Sequence, residues 1–112
     1  MRRIACRMPS VLKIMLSEAV QNDGYGGKGK SRWVREAVNQ LFEHDPDLVN
    51  VGVGDDLETN DAEDAFFLCE ENRLAIDAAV DLIRSQCPRA EGIQSAIIRA
   101  AVRHRLRENM NK

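Results

Sequence analysis

Gly24-Tyr-Gly-Gly-Lys-Gly-Lys-Ser31 matches GxxxxGKS, the pattern of a phosphate-binding loop, letter for letter. Such a loop holds nucleotide because backbone N–H groups and a lysine cradle the phosphates. It needs a strand directly before it, a helix after it and a downstream strand-end aspartate for magnesium. Here the preceding Leu16-Ser-Glu-Ala-Val-Gln-Asn-Asp23 continues a helical apolar period, and no parallel β-α-β pattern follows. A small nucleotide-hydrolysing enzyme is the alternative this motif raises, and its context argues against it. The same loop physics, main-chain N–H groups plus lysine, serves any phosphate. A second candidate set is Arg3, Ala5 and Arg7, which fall on one face if Arg3-Ile-Ala-Cys-Arg-Met8 is extended. Cys6, Cys69, Cys87, His44 and His104 include no pair with zinc-ligand spacing, and no nucleophile has its base nearby. No catalytic set, metal or cofactor is expected.

Charge narrows the class. The 112 residues carry 16 Lys+Arg against 18 Asp+Glu, a net of −2, with 44% apolar and 4% aromatic residues. Scarce aromatics exclude ring-stacking platforms for single-stranded nucleic acid. The net value hides an asymmetry. Residues 44–64 contain eight acids and no Lys or Arg, leaving the other 91 residues at +6. Asp, Asn, Gly and Pro dominate that insert, so it reads as a linker or surface loop, with Leu48–Val53 as a short strand within it. An EF-hand is excluded by spacing: counted from Asp56, the sixth residue is Asp61 and the twelfth Phe67, not Gly and Glu. No apolar run approaches the roughly 18 residues of a membrane helix. The Met1-Arg-Arg start lacks an apolar h-region, so no signal peptide is expected. An odd cysteine count without CxxC fits a reduced, cytoplasmic setting.

The flanks of the insert repeat at an offset of 64 without gaps. Ser31/Ser95, Arg35/Arg99, Ala37/Ala101 and Val38/Val102 are identical, and Trp33/Ile97, Val34/Ile98, Leu12/Ile76 and Leu16/Val80 keep apolar character. Each flank opens with a strand-like segment, Arg3–Met8 or Ala65–Cys69. A helical stripe follows: Leu12, Met15, Leu16, Ala19 and Val20, or Ile76, Ala79, Val80 and Ile83. Pro9-Ser10 suits a helix start with Ser10 as cap. After a Gly- or Pro-containing breaker, second helices are expected from Ser31 and Ser95. Each flank has about 45 residues, near the roughly 40-residue limit for independent folding, and a lone strand has no ladder partner. Two antiparallel strands sharing one core with four helices resolve both problems. The 21-residue insert spans up to about 70 Å extended, enough to bring the second strand back.

This order resembles the ribbon-helix-helix family of DNA-binding proteins, most clearly over Arg3–Val38 and more weakly over 65–108. Two units in one chain resemble the tandem, pseudo-dimeric members, such as TraY-type relaxosome accessory proteins and those of T-DNA transfer. The resemblance implies an α+β fold: a two-stranded antiparallel ribbon and four helices in a pseudo-two-fold arrangement. Residues 1–112 would form a single domain of repeat one (2–43), an acidic linker (44–64) and repeat two (65–109). It also implies sequence-specific binding of double-stranded DNA, with the ribbon in the major groove and no enzymatic activity. Arg3, Ala5 and Arg7 would face the bases. Lys28, Lys30, Ser31 and Arg32, with Gln94 and Ser95 in the second repeat, would meet phosphates at helix starts. An accessory role in conjugative DNA transfer beside a relaxase follows from the subfamily, as a monomer or a higher assembly on DNA. The alternatives are a transcriptional repressor or a plasmid-maintenance antitoxin. At offset 64, Phe67, Cys69 and Glu71 would lie on the DNA face of an arginine-free second strand, and Leu68, Glu70 and Asn72 inward. Arg99, Arg103, Arg105 and Arg107 read as a solvated basic tail, and Cys6 and Cys69 as neighbours across the ribbon.

Overall fold

A computed structural model of the chain describes residues 2–26, 29–48, 51 and 59–110. The first strand, β1 (Arg2–Met8), alternates: Ile4, Cys6 and Met8 are buried while Arg3, Ala5 and Arg7 are exposed. Pro9, at φ −60° and ψ 142°, turns the chain directly into α1 (Ser10–Asn22). A loop returns it into α2 (Lys30–His44), whose buried stripe is Trp33, Val34, Ala37, Val38 and Leu41. The second strand, β2 (Ala62–Leu68), pairs antiparallel with β1. Ala5 lies opposite Ala65, Arg3 opposite Phe67 and Arg7 opposite Glu63. Then follow α3 (Glu70–Gln86) and α4 (Ile93–Met110). The molecule is thus a small α+β domain of a two-stranded antiparallel sheet and four helices.

One core serves both flanks. Phe66 and Leu68 of β2 join Cys6 and Met8 of β1 beneath Trp33, Val38, Ile97, Ile98 and Val102. The radius of gyration, 13.3 Å, matches the ~13 Å expected of a single compact domain of this length. The central helix is α4, which touches β1 and all three other helices. Its burial therefore extends beyond one stripe and takes in Arg99 and Arg105.

Several expectations change. The second strand begins at Ala62, not Ala65, so the last three residues of the acidic stretch 44–64 belong to the ribbon. Cys69 follows the strand, and the cross-strand partner of Cys6 is Asp64. The helices start at Lys30 and Ile93 rather than at Ser31 and Ser95. Ser10 is the first helical residue and not the cap. Asp61, arriving from the far end of the insert, accepts the Ser10 backbone N–H at 3.0 Å and its hydroxyl at 3.2 Å. Those hydrogen bonds, the backbone one first, hold the Asp61 carboxyl below its ordinary value. Leu48 and Val51 are buried but neither is in a strand; the rest of the expected 48–53 strand lies outside the described residues.

The gapless offset of 64 also needs correcting. The strands and the starts of the first helices correspond at 60 (Arg2/Ala62, Ser10/Glu70), while the buried stripes of α2 and α4 correspond at 64. Helix α3 is longer than α1, 17 residues against 13, and this takes up the difference.

Candidate nucleic-acid interface

The residues of the ribbon that do not enter the core form one outward face. β1 contributes Arg3, Ala5 and Arg7, and β2 contributes Phe67, Ala65 and Glu63 opposite them. All three β1 residues are exposed, as their alternation predicts. Phe67 is 49% exposed, an unusual state for a phenylalanine on a strand with a buried face behind it. Of the second-strand residues expected outward, only Phe67 is on this face. Cys69 precedes α3 and Glu71 lies in its first turn. The correct shift of four residues brings Glu63 and Ala65 here instead. The outer face therefore runs from an arginine–phenylalanine end, through two alanines, to an arginine–glutamate end.

A matched pair of arginines holds the ribbon to the second helices. Arg35 on α2 donates to the carbonyl of Phe67 at 2.7 Å, and Arg99 on α4 donates to the carbonyl of Arg7 at 2.8 Å. Arg35 and Arg99 correspond at offset 64, and Arg7 and Phe67 at offset 60. Each arginine thus meets the next-to-last residue of a strand, at a carbonyl that the two-stranded ladder leaves unpaired. The Phe67 N–H is met in turn by the Ser31 hydroxyl at 2.9 Å.

The residues expected at phosphates divide. Lys30, the first residue of α2, is ion-paired to Asp64 at 2.5 Å and lies 5.6 Å from the centre of the Phe66 ring. Asp64 points inward from β2, its side chain only 8% exposed, so Lys30 neutralises a buried carboxylate. Ser31 is engaged by Phe67. Arg32 is outward, its side chain 70% exposed and linked to Glu36 at 3.2 Å. Lys28 lies outside the described residues. At the start of α4, Gln94 is exposed and Ser95 half-buried, the Ser95 carbonyl accepting the Cys6 thiol at 3.6 Å. Burial pushes that thiol up to about 11, so Cys6 is a packing residue and not a nucleophile. The lettering of the phosphate-binding loop is real, but α1 precedes it where that fold needs a strand.

The fold also gathers cations that the spacing did not suggest. Gln94 shares a shallow depression of about 210 Å3 with Arg2, Arg3, Ala5 and Arg73. Arg73 is tied loosely to Asp77 at 3.5 Å and to Glu70 at 3.8 Å. Its counterpart at offset 60 is Lys13, which donates to the Glu63 carbonyl at 2.9 Å. Both long ribbon edges are thus flanked by a base from a first helix, a relation visible only once the offset is right.

A polar cluster fixes the loop before α2. Arg105 of α4 donates to the Trp33 carbonyl at 2.7 Å and to the Tyr25 hydroxyl at 2.8 Å, and pairs with Glu36 at 3.1 Å. Its guanidinium stacks 4.6 Å from the centre of the Trp33 ring. Tyr25 donates to Glu36, and the Trp33 indole N–H donates to Asp23 at 2.7 Å. Burial opposes the Glu36 charge, but hydrogen bonds from Tyr25, Arg32 and Arg105 together with the Arg105 charge outweigh it and hold the carboxyl below its ordinary value. Gly29 is required here: a Cβ on it would sit 2.3 Å from the Tyr25 carbonyl oxygen. Two of the four arginines read as a solvated tail, Arg99 and Arg105, are therefore buried parts of the fold. Among the described residues no group of three or more His, Cys, Asp or Glu could hold a metal ion, and no helix is long and apolar enough to cross a membrane. No family model, curated protein or solved structure matches this chain.

Proposed function

We propose that this chain is a tandem ribbon-helix-helix protein that binds double-stranded DNA sequence-specifically, one polypeptide supplying both halves of a pseudo-two-fold unit. The observation that carries the proposal is the outward face of the β1–β2 ribbon, with Arg3 and Arg7 exposed on it and Ile4, Cys6, Met8, Phe66 and Leu68 buried behind it. A two-stranded ribbon fits the major groove, and arginine donates two hydrogen bonds to guanine O6 and N7. The paired Arg35 and Arg99 contacts support the two-fold relation, since the same residue type meets the same ribbon position from each second helix. Phosphate contact is assigned to Arg2, Arg32, Gln94 and Arg73, which flank the ribbon or the helix starts. Lys30 serves Asp64 first.

We infer from the resemblance alone a cytoplasmic accessory role in conjugative DNA transfer with a relaxase as partner; a repressor would use the same face. The decisive experiment is selection of bound fragments from random duplex, followed by titration of Arg3→Ala and Arg7→Ala on the selected site. Each is expected to cost about 1–3 kcal/mol of binding and to relax the preference at one base. Selection that yields no preferred sequence, or variants that bind as the parent does, removes base readout by β1.

A further inference from the structure

Of the three phenylalanines, the tyrosine and the tryptophan in this chain, four pack in or against the core and one does not. Phe67 turns outward from β2 and is 49% exposed. The other large apolar side chains that are exposed among the described residues all lie on helices. The main chain of Phe67 is held on both sides by α2. Its N–H donates to the Ser31 hydroxyl at 2.9 Å, and its carbonyl accepts from Arg35 at 2.7 Å. The ring is therefore carried on a fixed stretch of backbone.

Its place on the ribbon is that of a reading residue. The strands correspond at offset 60, so Phe67 is the twin of Arg7, and its cross-strand partner is Arg3. Directly opposed side chains leave a ribbon from Cβ atoms about 4.5–5.5 Å apart. Base pairs stack about 3.4 Å apart, so Arg3 and Phe67 reach neighbouring pairs of one groove.

The chemistry of a phenyl ring then limits what it can meet. It neither donates nor accepts a hydrogen bond. Guanine, cytosine and adenine offer only polar groups on their major-groove edges, whereas thymine also offers its C5-methyl. A ring laid over a polar edge strips its water and returns no hydrogen bond. Laid over a methyl, it buries apolar surface on both sides.

We propose that Phe67 is a specificity-determining residue that reads the C5-methyl of a thymine, at a base pair next to the guanine read by Arg3. This rests on the duplex-binding reading and goes further, giving the arginine-free strand a base of its own. The two ends of the ribbon then read by different means. The Arg7–Glu63 end uses polar groups on both strands, and the Arg3–Phe67 end sets a polar group beside an apolar one.

The test starts from the selected duplex. The guanine whose preference relaxes in Arg3→Ala marks the position, and a thymine is expected at a neighbouring pair. Replacing that thymine with deoxyuridine removes the methyl and nothing else. The parent chain should bind the uracil duplex about fourfold more weakly, the loss expected for one buried methyl. Phe67→Ala should bind the two duplexes equally, and Phe67→Leu should keep the preference for thymine. Arg3→Ala should bind both more weakly and keep their ratio. The proposal is overturned by a parent chain that binds the two duplexes alike, by selected sites with no thymine beside that guanine, or by Phe67→Ala retaining the parent's ratio. The last result would assign the ring to packing on the sugar-phosphate backbone. The first comparison uses the parent alone, so it decides whether or not a variant folds. In all three cases the losses on Arg3→Ala and Arg7→Ala would stand and the duplex-binding reading with them, whereas selection without any preferred sequence overturns both.

Discussion

The two halves of this molecule reach the same architecture with different side chains, on the surfaces and at a few places inside. Most core exchanges are between residues of like kind: Cys6 and Met8 answer Phe66 and Leu68, and Trp33 and Val34 answer Ile97 and Ile98. Three are not: Ile4 is answered by Asp64, Leu12 by the buried Asn72 and Leu41 by the buried Arg105, and each of these polar groups has a hydrogen-bond or ion-pair partner. On the outer ribbon face, arginines answer a glutamate and a phenylalanine. Packing constrains volume, and apolar character wherever no polar partner is built in, whereas a solvent-facing ribbon residue is constrained only by what it meets. Two identical chains would present a face with true two-fold symmetry. This chain presents arginine twice on one strand and not at all on the other, so a duplex site read by it is expected to be non-palindromic.

The largest effect is expected where the halves look most alike. Arg35 and Arg99 make the same contact, but Arg99 is buried at 6% exposure and Arg35 is half-exposed. Removing Arg99 takes a buried guanidinium away from the Arg7 carbonyl, and a lost hydrogen bond from a charged group costs roughly 1.5–3 kcal/mol. Arg99→Ala is expected to lower unfolding stability by about 2–3 kcal/mol and Arg35→Ala by about 1 kcal/mol, since water reaches the Phe67 carbonyl. Denaturant titration of the two variants measures the difference. Equal losses would show that the two clamps are energetically equivalent despite their burial.

The next effect concerns the outer face. Arg3→Ala and Arg7→Ala are each expected to cost about 1–3 kcal/mol on a selected duplex. Glu63→Gln should leave affinity unchanged or raise it, by removing a carboxylate near phosphates, and flatten any preference for cytosine at its position, because a carboxylate accepts from cytosine N4. A loss of affinity on Glu63→Gln equal to that of Arg7→Ala would mean that the two strands read DNA alike, and the comparison drawn here would fail.

Much of this arrangement is legible in the sequence. The order of elements, the antiparallel pairing and the outward placement of Arg3, Ala5 and Arg7 follow from alternation, helical period and the need of a lone strand for a partner. The sequence does not distinguish an offset of 60 from one of 64, for a physical reason. A slip of four residues is two strand periods and close to one helical turn of 3.6 residues, so it preserves every face. Leu12 aligned with Ile76 looks as good as Leu16 aligned with Ile76. The start of β2 was hidden because Ala62-Glu63-Asp64 has linker composition. Asp64 can enter the ribbon's inner face only because Lys30 reaches it from α2, a relation between residues 34 apart. Arg99 and Arg105 looked like surface charges because nothing local announces a carbonyl or an aromatic cage waiting across the core. The identity of Arg35 with Arg99 was the one available sign.

Lys30 sharpens the comparison at moderate size. Its counterpart at offset 64 is Gln94, which faces the arginine-rich depression and no buried acid. Lys30→Ala is expected to destabilise by about 1–2 kcal/mol, discounted from a fully buried pair because the lysine side chain is 37% exposed. Adding Asp64→Asn should recover most of that loss, and a double-mutant cycle isolates the coupling. Gln94→Ala should leave stability unchanged and weaken duplex binding at all sequences alike. A destabilised Gln94→Ala protein would show that both helix starts are structural.

The smallest effect is on acid stability, and it should reach α1 and α2 before α3. Glu36 and Asp61 both have carboxyls held below their ordinary values of 4.5 and 3.8. Asp61 caps α1, and Glu36 holds Tyr25 and Arg32 of the first half together with Arg105 of α4. At offset 64 the counterpart of Glu36 is Ala100, and α3 carries Glu70 and Glu71 in its own first turn. A carboxylate with a depressed folded value stabilises fully above its unfolded value and loses that contribution as pH falls through the folded one. Stability is therefore expected to hold above about pH 5 and to decline as pH falls below 4.5 and then 3.8, with Glu36→Gln flattening the upper part of that decline. Hydrogen exchange should show the amides of Ser10–Lys13 and Arg32–Glu36 losing protection before those of α3. Earlier opening of α3 would place the acid-sensitive contacts in the other half and sever the link between these two carboxylates and the order of unfolding.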